Sequence, residues 1–205
     1  MSAHAWVASF TTIEVKHGKY MSCDLAETDI QALSKIRHDL RHGEPLGADA
    51  FPDRLWNQKP KPIKQLPQIF MGCIYWVLGA KAAQVFAEFD LGGGGLYPVE
   101  ILQHDRKTRI EGEYFCLCFG NKKSALVWEQ SAGVKPIKPE RTEYWTLNPA
   151  PADDSVVVTR TALAGPDVWI DPALWLTFFV SDGLAQALRA AKVDGPFSFT
   201  RCLVV

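Results

Sequence analysis

A chain of 205 residues has room for one large domain or two small ones, and it buries a core without help from metals or disulfides. With 47% hydrophobic and 22% charged residues it is not wholly disordered; a formal net charge of -1 and a sequence pI of about 6.5 give no general field that draws nucleic acid or anionic lipid. No stretch approaches the ~18 uninterrupted apolar residues of a membrane span. The N-terminal stretch MSAHAWVASFTTIEVKHGKY lacks the basic-then-apolar order of a secretory signal. Five cysteines, an odd number, suit reduced thiols better than a disulfide framework. These readings place the chain in the cytoplasm. Seven Trp residues serve either a core or an interface, with core packing the default.

Trp6, Val7, Phe10 and Ile13 predict a strand over residues 5–13. Thr28, with Gln31 three residues on, reads as a capping box, and Ile30, Leu33, Arg37 and Leu40 then fall at helical spacing. Arg37 is the long-stemmed exception on that stripe. The helix, over about residues 28–42, ends where Gly43 permits a left-handed stop and Pro45 forbids continuation. Seven glycines and prolines between 43 and 68 predict an extended traverse, whose Lys59, Lys61 and Lys64 read as a solvated connector.

Residues 70–77 read as a buried strand and 80–89 as a helix with Ala82, Val85, Phe86 and Phe89 on one stripe, stopped by Gly92–Gly95. Strands follow at 96–102, 113–119 and 125–128, in a pattern that suggests hairpin pairing. A Pro- and Asp-rich break at 148–154 introduces the SVVVTR strand. The apolar stretch 168–170, a strand at 176–180, a helix at 183–192 capped by Ser181 or Asp182, and a strand at 197–204 complete the chain. Strand, helix, glycine stop and strand thus occur twice, over 71–102 and 176–205, and a 103-residue offset aligns Val77 with Val180, Val85 with Leu188 and Gly92 with Gly195. The predicted class is α+β with a mixed or mostly antiparallel sheet and two related strand-helix-strand halves.

The glycine run follows a helix and precedes a strand, the reverse of a phosphate loop, and lacks that motif's Lys and Ser or Thr. Cys116 and Cys118 share one face of their strand while Phe115, Leu117 and Phe119 share the other, which predicts burial on both sides and inert thiols. His38 and His42 lie four apart on a helix with no third ligand. No metal, cofactor or catalytic residue is assigned. The residues offered as partner contacts are His104, Asp105 and Arg106, in the polar connection HDRKTRIEG, and Asp153, Asp154 and Asp167, which with Asp171 make 151–172 acidic. In each case a solvated turn or edge is the competing structural reading.

The runs LPQIFMGCIYWVLGAKAAQVFAEFDLGGGGLYPVEIL, HDRKTRIEGEYFCLCFGN and GPDVWIDPALWLTFFVSDGLAQALRAAKVDGPFSFTRCLVV resemble a bacterial immunity-protein family, the eleventh of the polymorphic-toxin systems and formerly a domain of unknown function. The likeness covers about residues 55–205 as a core within one immunity-type domain of 1–205, with 1–54 as an N-terminal extension bearing a strand and a helix. It rests on Phe89-Asp90-Leu91-Gly92, Tyr97-Pro98-Val99-Glu100 and Phe179-Val180-Ser181, and the length of the glycine run departs from it. The resemblance implies a cytoplasmic antitoxin that binds a cognate toxin protein and blocks it by occlusion. The alternatives are a small enzyme using a His/Asp or Cys site and a self-associating module.

Overall fold

The structure, a computed structural model, describes residues 4–10, 20–138, 141–193 and 197–205. Ile13 and Gly195, on which a strand end and one aligned pair of the repeat fall, lie outside them. The chain opens with β1 (Ala5–Phe10) and β2 (Met21–Ser22), followed by α1 (Asp24–Thr28) and α2 (Ile30–Arg41). The cap of α2 is Asp29, whose side chain accepts hydrogen bonds from the Gln31 and Ala32 amides. Thr28, the expected cap, instead closes α1 by donating its hydroxyl to the Asp24 carbonyl. The Asp29 carboxylate, one residue later, accepts from two of the orphan amides while the Thr28 hydroxyl is bonded back into α1, so the single predicted helix becomes two.

The traverse after α2 holds β3 (Arg54–Asn57), which its prolines concealed. Residues 70–77 form a tight hairpin, β4 (Ile69–Gly72) and β5 (Tyr75–Gly79), because Cys73 adopts a left-handed φ of 57° between them. Gly72 precedes the turn, but neither of its two central residues, Cys73 and Ile74, is a glycine or asparagine, so an apolar run hid it. Next come α3 (Ala80–Ala87), β6 (Gly95–Leu102) and β7 (Tyr114–Cys118). The hairpin of β8 (Val134–Lys138) and β9 (Arg141–Leu147) was not anticipated. The predicted strand at 125–128 is only a bridge from Leu126 to Val158, leading into a 3-10 turn at Trp128–Gln130. The chain ends with β10 (Val156–Val158), β11 (Val168–Trp169), β12 (Phe179–Ser181), α4 (Asp182–Ala190) and β13 (Phe197–Val204).

These elements make an α+β fold with two mixed sheets and the separate β8–β9 hairpin. One sheet runs β10-β13-β1-β12-β11 and the other β2-β3-β6-β7-β5-β4; only the β10–β13 and β3–β6 pairs are parallel. The N-terminal stretch is woven into both sheets. β1 is the middle strand of the first, and the boundary at 54/55 falls inside β3.

Both strand-helix-strand units adopt one arrangement. β5 and β6 flank β7, each antiparallel to it, and β12 and β13 flank β1 in the same way. The equivalence runs at an offset of 102, however. Leu78 and Val180 face the same core, Gly79 and Ser181 are the two helix N-caps, and Ala83 and Phe86 match Ala185 and Leu188. At the predicted 103, Val77 would match Val180, but Val77 faces a different core. A slip of one residue turns a strand side chain to the opposite face.

Three cores result. The central one takes side chains from both sheets together with α3 and α4, including Phe86, Leu117, Phe178 and Leu188. A second packs α1 and α2 on the far face of the six-stranded sheet, and a third lies under the β8–β9 hairpin. Along β7, Leu117 enters the central core while Cys116 and Cys118 enter the second, as their alternation predicted. Each fully buried large side chain contributes about 1.5–3 kcal/mol. No helix among the described residues is long and apolar enough to cross a membrane.

Candidate functional site

The six residues offered from sequence fall at three separate places, and five of them have a local structural task. Asp105 accepts hydrogen bonds from the amides of Lys107 (3.0 Å) and Thr108 (2.8 Å) and from the Thr108 hydroxyl. Led by the Thr108 hydroxyl, these donors hold its carboxyl down at about 2. Arg106 pairs in bidentate fashion with Glu27 of α1 and lays its guanidinium 4.3 Å over the Trp56 ring. His104 belongs to the same exposed turn.

Far along the chain, Asp153 accepts from the Arg201 amide and Asp154 pairs with the Arg201 side chain, fastening the 148–155 loop to β13. Asp167 accepts from the Asp90 amide at 2.9 Å and donates its own amide to the Asp90 carbonyl, joining the segment before β11 to the exit of α3. Asp171 is 2% exposed and accepts from the Ala125, Leu126 and Ala173 amides. Burial pushes its carboxyl upward and the three amides pull it back only in part. For this acidic stretch the structural reading holds.

Among the glycines, the Gly92 amide donates to Asp90 Oδ1, Gly93 to Asn121 Oδ1 and Gly94 to the Leu91 carbonyl. These donors already have acceptors within the protein. A Cβ on Gly94 would lie 2.4 Å from the carbonyl oxygens of Cys118 and Phe119, so the run permits one backbone to cross another. Asn121 clamps that crossing by donating to the Leu91, Phe119 and Val168 carbonyls. Lys123 donates to the Ala162 and Pro166 carbonyls over the Trp169 ring, and burial lowers it to about 8. Among the described residues no group of three or more His, Cys, Asp or Glu could hold a metal.

What the fold does assemble is a groove between the C-terminal end of α2, the β4–β5 turn, β9 and the 170–177 loop. An inner cavity of about 150 Å³ is lined by Arg37, Arg41, Cys73, Trp76, Tyr144 and Trp175. It continues into an outer hollow of about 440 Å³ that shares Arg37, Arg41, Tyr144 and Trp175 and adds His38, Ile137 and Lys138. Arg41 lies 4.0 Å over the Trp175 ring, and Tyr144 meets Trp175 edge-on at 6.2 Å. Burial, with the neighbouring charge of Arg37, lowers the Arg41 pKa. Neither arginine has a carboxylate partner among the described residues. At the rim, Leu176 is 46% exposed at a φ of 56°, and Ile137 is also exposed.

Sequence reasoning missed this site because its parts come from separate segments of the chain, with Arg37 and Trp175 lying 138 positions apart. One signal was present: Arg37 interrupts an otherwise apolar helical stripe. His38 and His42 do meet, with ring centroids 4.0 Å apart, but His42 Nδ1 is bonded to the His38 carbonyl at 2.7 Å, so the pair packs on its own helix. Neither any family model nor any curated protein matches this chain.

Proposed function

We propose that the protein is an immunity protein that neutralises a cognate bacterial toxin in the cytoplasm, by covering the toxin with the surface around the α2–β9 groove. The observation that carries this reading is the clustering of Trp175, Tyr144, Arg37 and Arg41 around one open groove. Trp, Tyr and Arg are the side chains most enriched at the energetic centres of protein interfaces, since each combines large apolar contact with a directed polar group. Two arginines without carboxylate partners among the described residues suit a partner segment that brings carboxylates. The resemblance of residues 55–205 to an immunity family supports the same reading, because occlusion requires a complementary surface and no reaction.

The test is co-purification with the protein encoded in the neighbouring reading frame, together with protection of cells that express it. Arg41→Glu and Trp175→Ala are each expected to weaken the complex by roughly 2 kcal/mol or more, at least about thirtyfold in Kd. Retention of full affinity and protection by both variants, with their fold intact by circular dichroism, refutes the groove as the binding surface. Failure of every adjacent candidate to bind refutes the immunity reading.

A further inference from the structure

Two thiols fifty positions apart meet at the inner edge of the groove: Cys23 Sγ lies 3.7 Å from Cys73 Sγ. Cys23 is fully buried at the junction of β2 and α1, where its carbonyl accepts from the Ala26 amide. Cys73 is half-buried, lines the groove and holds the left-handed position of the β4–β5 turn. Glycine or asparagine suits that position with less strain, so the thiol is kept there at a conformational cost. The other cysteines are differently placed. Cys116 and Cys118 are buried neighbours-but-one on a single strand, and Cys202 is buried in the other sheet.

We propose that Cys23 and Cys73 form a dithiol modification site, which a low-molecular-weight disulfide such as oxidised glutathione converts to an intramolecular disulfide. An S–S bond of about 2.05 Å requires the sulfurs to close by roughly 1.7 Å, within reach of side-chain rotation and a small shift of a half-buried turn. The exchange balances in two steps. Cys73, reachable from the groove, loses its proton to solvent and attacks one sulfur of oxidised glutathione, breaking that S–S bond. The first glutathione leaves as thiolate and takes a proton from water, and Cys73 carries a mixed disulfide. Cys23 then loses its proton to solvent and attacks the Cys73 sulfur, expelling the second glutathione. Two protein thiols are oxidised and one glutathione disulfide is reduced to two thiols.

The roles follow from placement, since the accessible sulfur accepts the incoming disulfide and the buried one resolves it. Their mutual hydrogen bond lowers the Cys23 pKa, which suits Cys23 to the resolving attack, and raises that of Cys73, which makes the first attack the slow step. The product ties the start of α1 to the turn beside Trp76 and so couples redox state to the groove. The proposal stands independently of which partner the groove takes.

The test treats the full chain with buffers of graded reduced-to-oxidised glutathione ratio, quenches with acid, alkylates under denaturing conditions and maps peptides by mass spectrometry. Expected is protection of two of the five thiols, a mass lower by two hydrogens, a linked peptide joining Cys23 to Cys73, and reversal by dithiothreitol. Cys23→Ser is expected to trap one glutathionyl group on Cys73, and Cys73→Ser to leave Cys23 unmodified in the folded protein. Five alkylated thiols at every ratio, or a linkage through Cys116, Cys118 or Cys202, overturns the proposal, and the wild-type mapping decides it even if a variant does not fold.

Discussion

Asp171 offers a sharp test of how the central segments are held. Its Oδ2 accepts from the amides of Ala125 and Leu126, both at 2.8 Å, and its Oδ1 from that of Ala173 at 3.0 Å. Asp171→Ala leaves three amides without their acceptor. At about 1 kcal/mol each, the low end of the range because an open hollow lined by Ser124, Tyr144 and Asp171 itself admits water, the loss is about 3 kcal/mol. Asp171→Asn keeps one acceptor oxygen but sets an NH2 group against an amide donor in either orientation. With Nδ2 turned to Ala173 only one bond is lost, at about 1–2 kcal/mol. Urea unfolding at neutral pH is expected to rank wild type above Asn and Asn above Ala, with Tm falling by roughly 6–12 °C for Ala.

The pH dependence adds a sign. Burial raises the native carboxyl, so the native state holds its proton to higher pH than the unfolded chain, whose value is 3.8. The stability this group contributes is full below that value and declines as pH rises through the native pKa, so the wild-type advantage over Asn is largest in acid. Equal stabilities for Asn and Ala, or a loss below about 0.5 kcal/mol for Ala, refute the claim that the carboxylate organises these amides.

Phe86→Ala empties a fully buried site shared by both sheets and is expected to cost about 3–5 kcal/mol in a single cooperative transition; a separate early transition in calorimetry would show that the halves do not share a core. Gly94→Ala, whose Cβ meets two carbonyl oxygens at 2.4 Å, is expected to destabilise by roughly 2 kcal/mol or more in urea, and a neutral result refutes the backbone crossing. The Asp105 carboxyl, followed by NMR, is expected to titrate at about 2, so its stabilising contribution is present above 3.8 and is lost as pH falls toward 2; a midpoint near 3.8 refutes the turn geometry. Lys123, observed the same way, is expected to titrate near 8.

Period and punctuation made most elements legible. The alternation of Phe115 to Phe119 predicted two buried faces, Ser181, one of the two caps offered for α4, is its N-cap, and the closing strand ends where it was expected. Local chemistry also explained the acidic residues, since short polar side chains bond to amides within reach. The hairpin at Cys73 was not legible because apolar residues on both sides erased the turn, and β3 was not because prolines surround a strand whose partners lie elsewhere in the chain.

By itself the sequence determined the α+β class, the doubled strand-helix-strand pattern and the inward faces of α3 and α4, because these depend on spacings of two to four residues; on α2, Ile30 of the expected stripe is 60% exposed. Only the tertiary structure decided that β1 and β7 are the inserted middle strands, that the repeat runs at 102, and that Arg41, Tyr144, Trp175 and Cys73 surround one groove with Cys23 behind it. Those relations depend on which distant segments pair, and that is set by the burial of whole faces together, a property that no local spacing encodes.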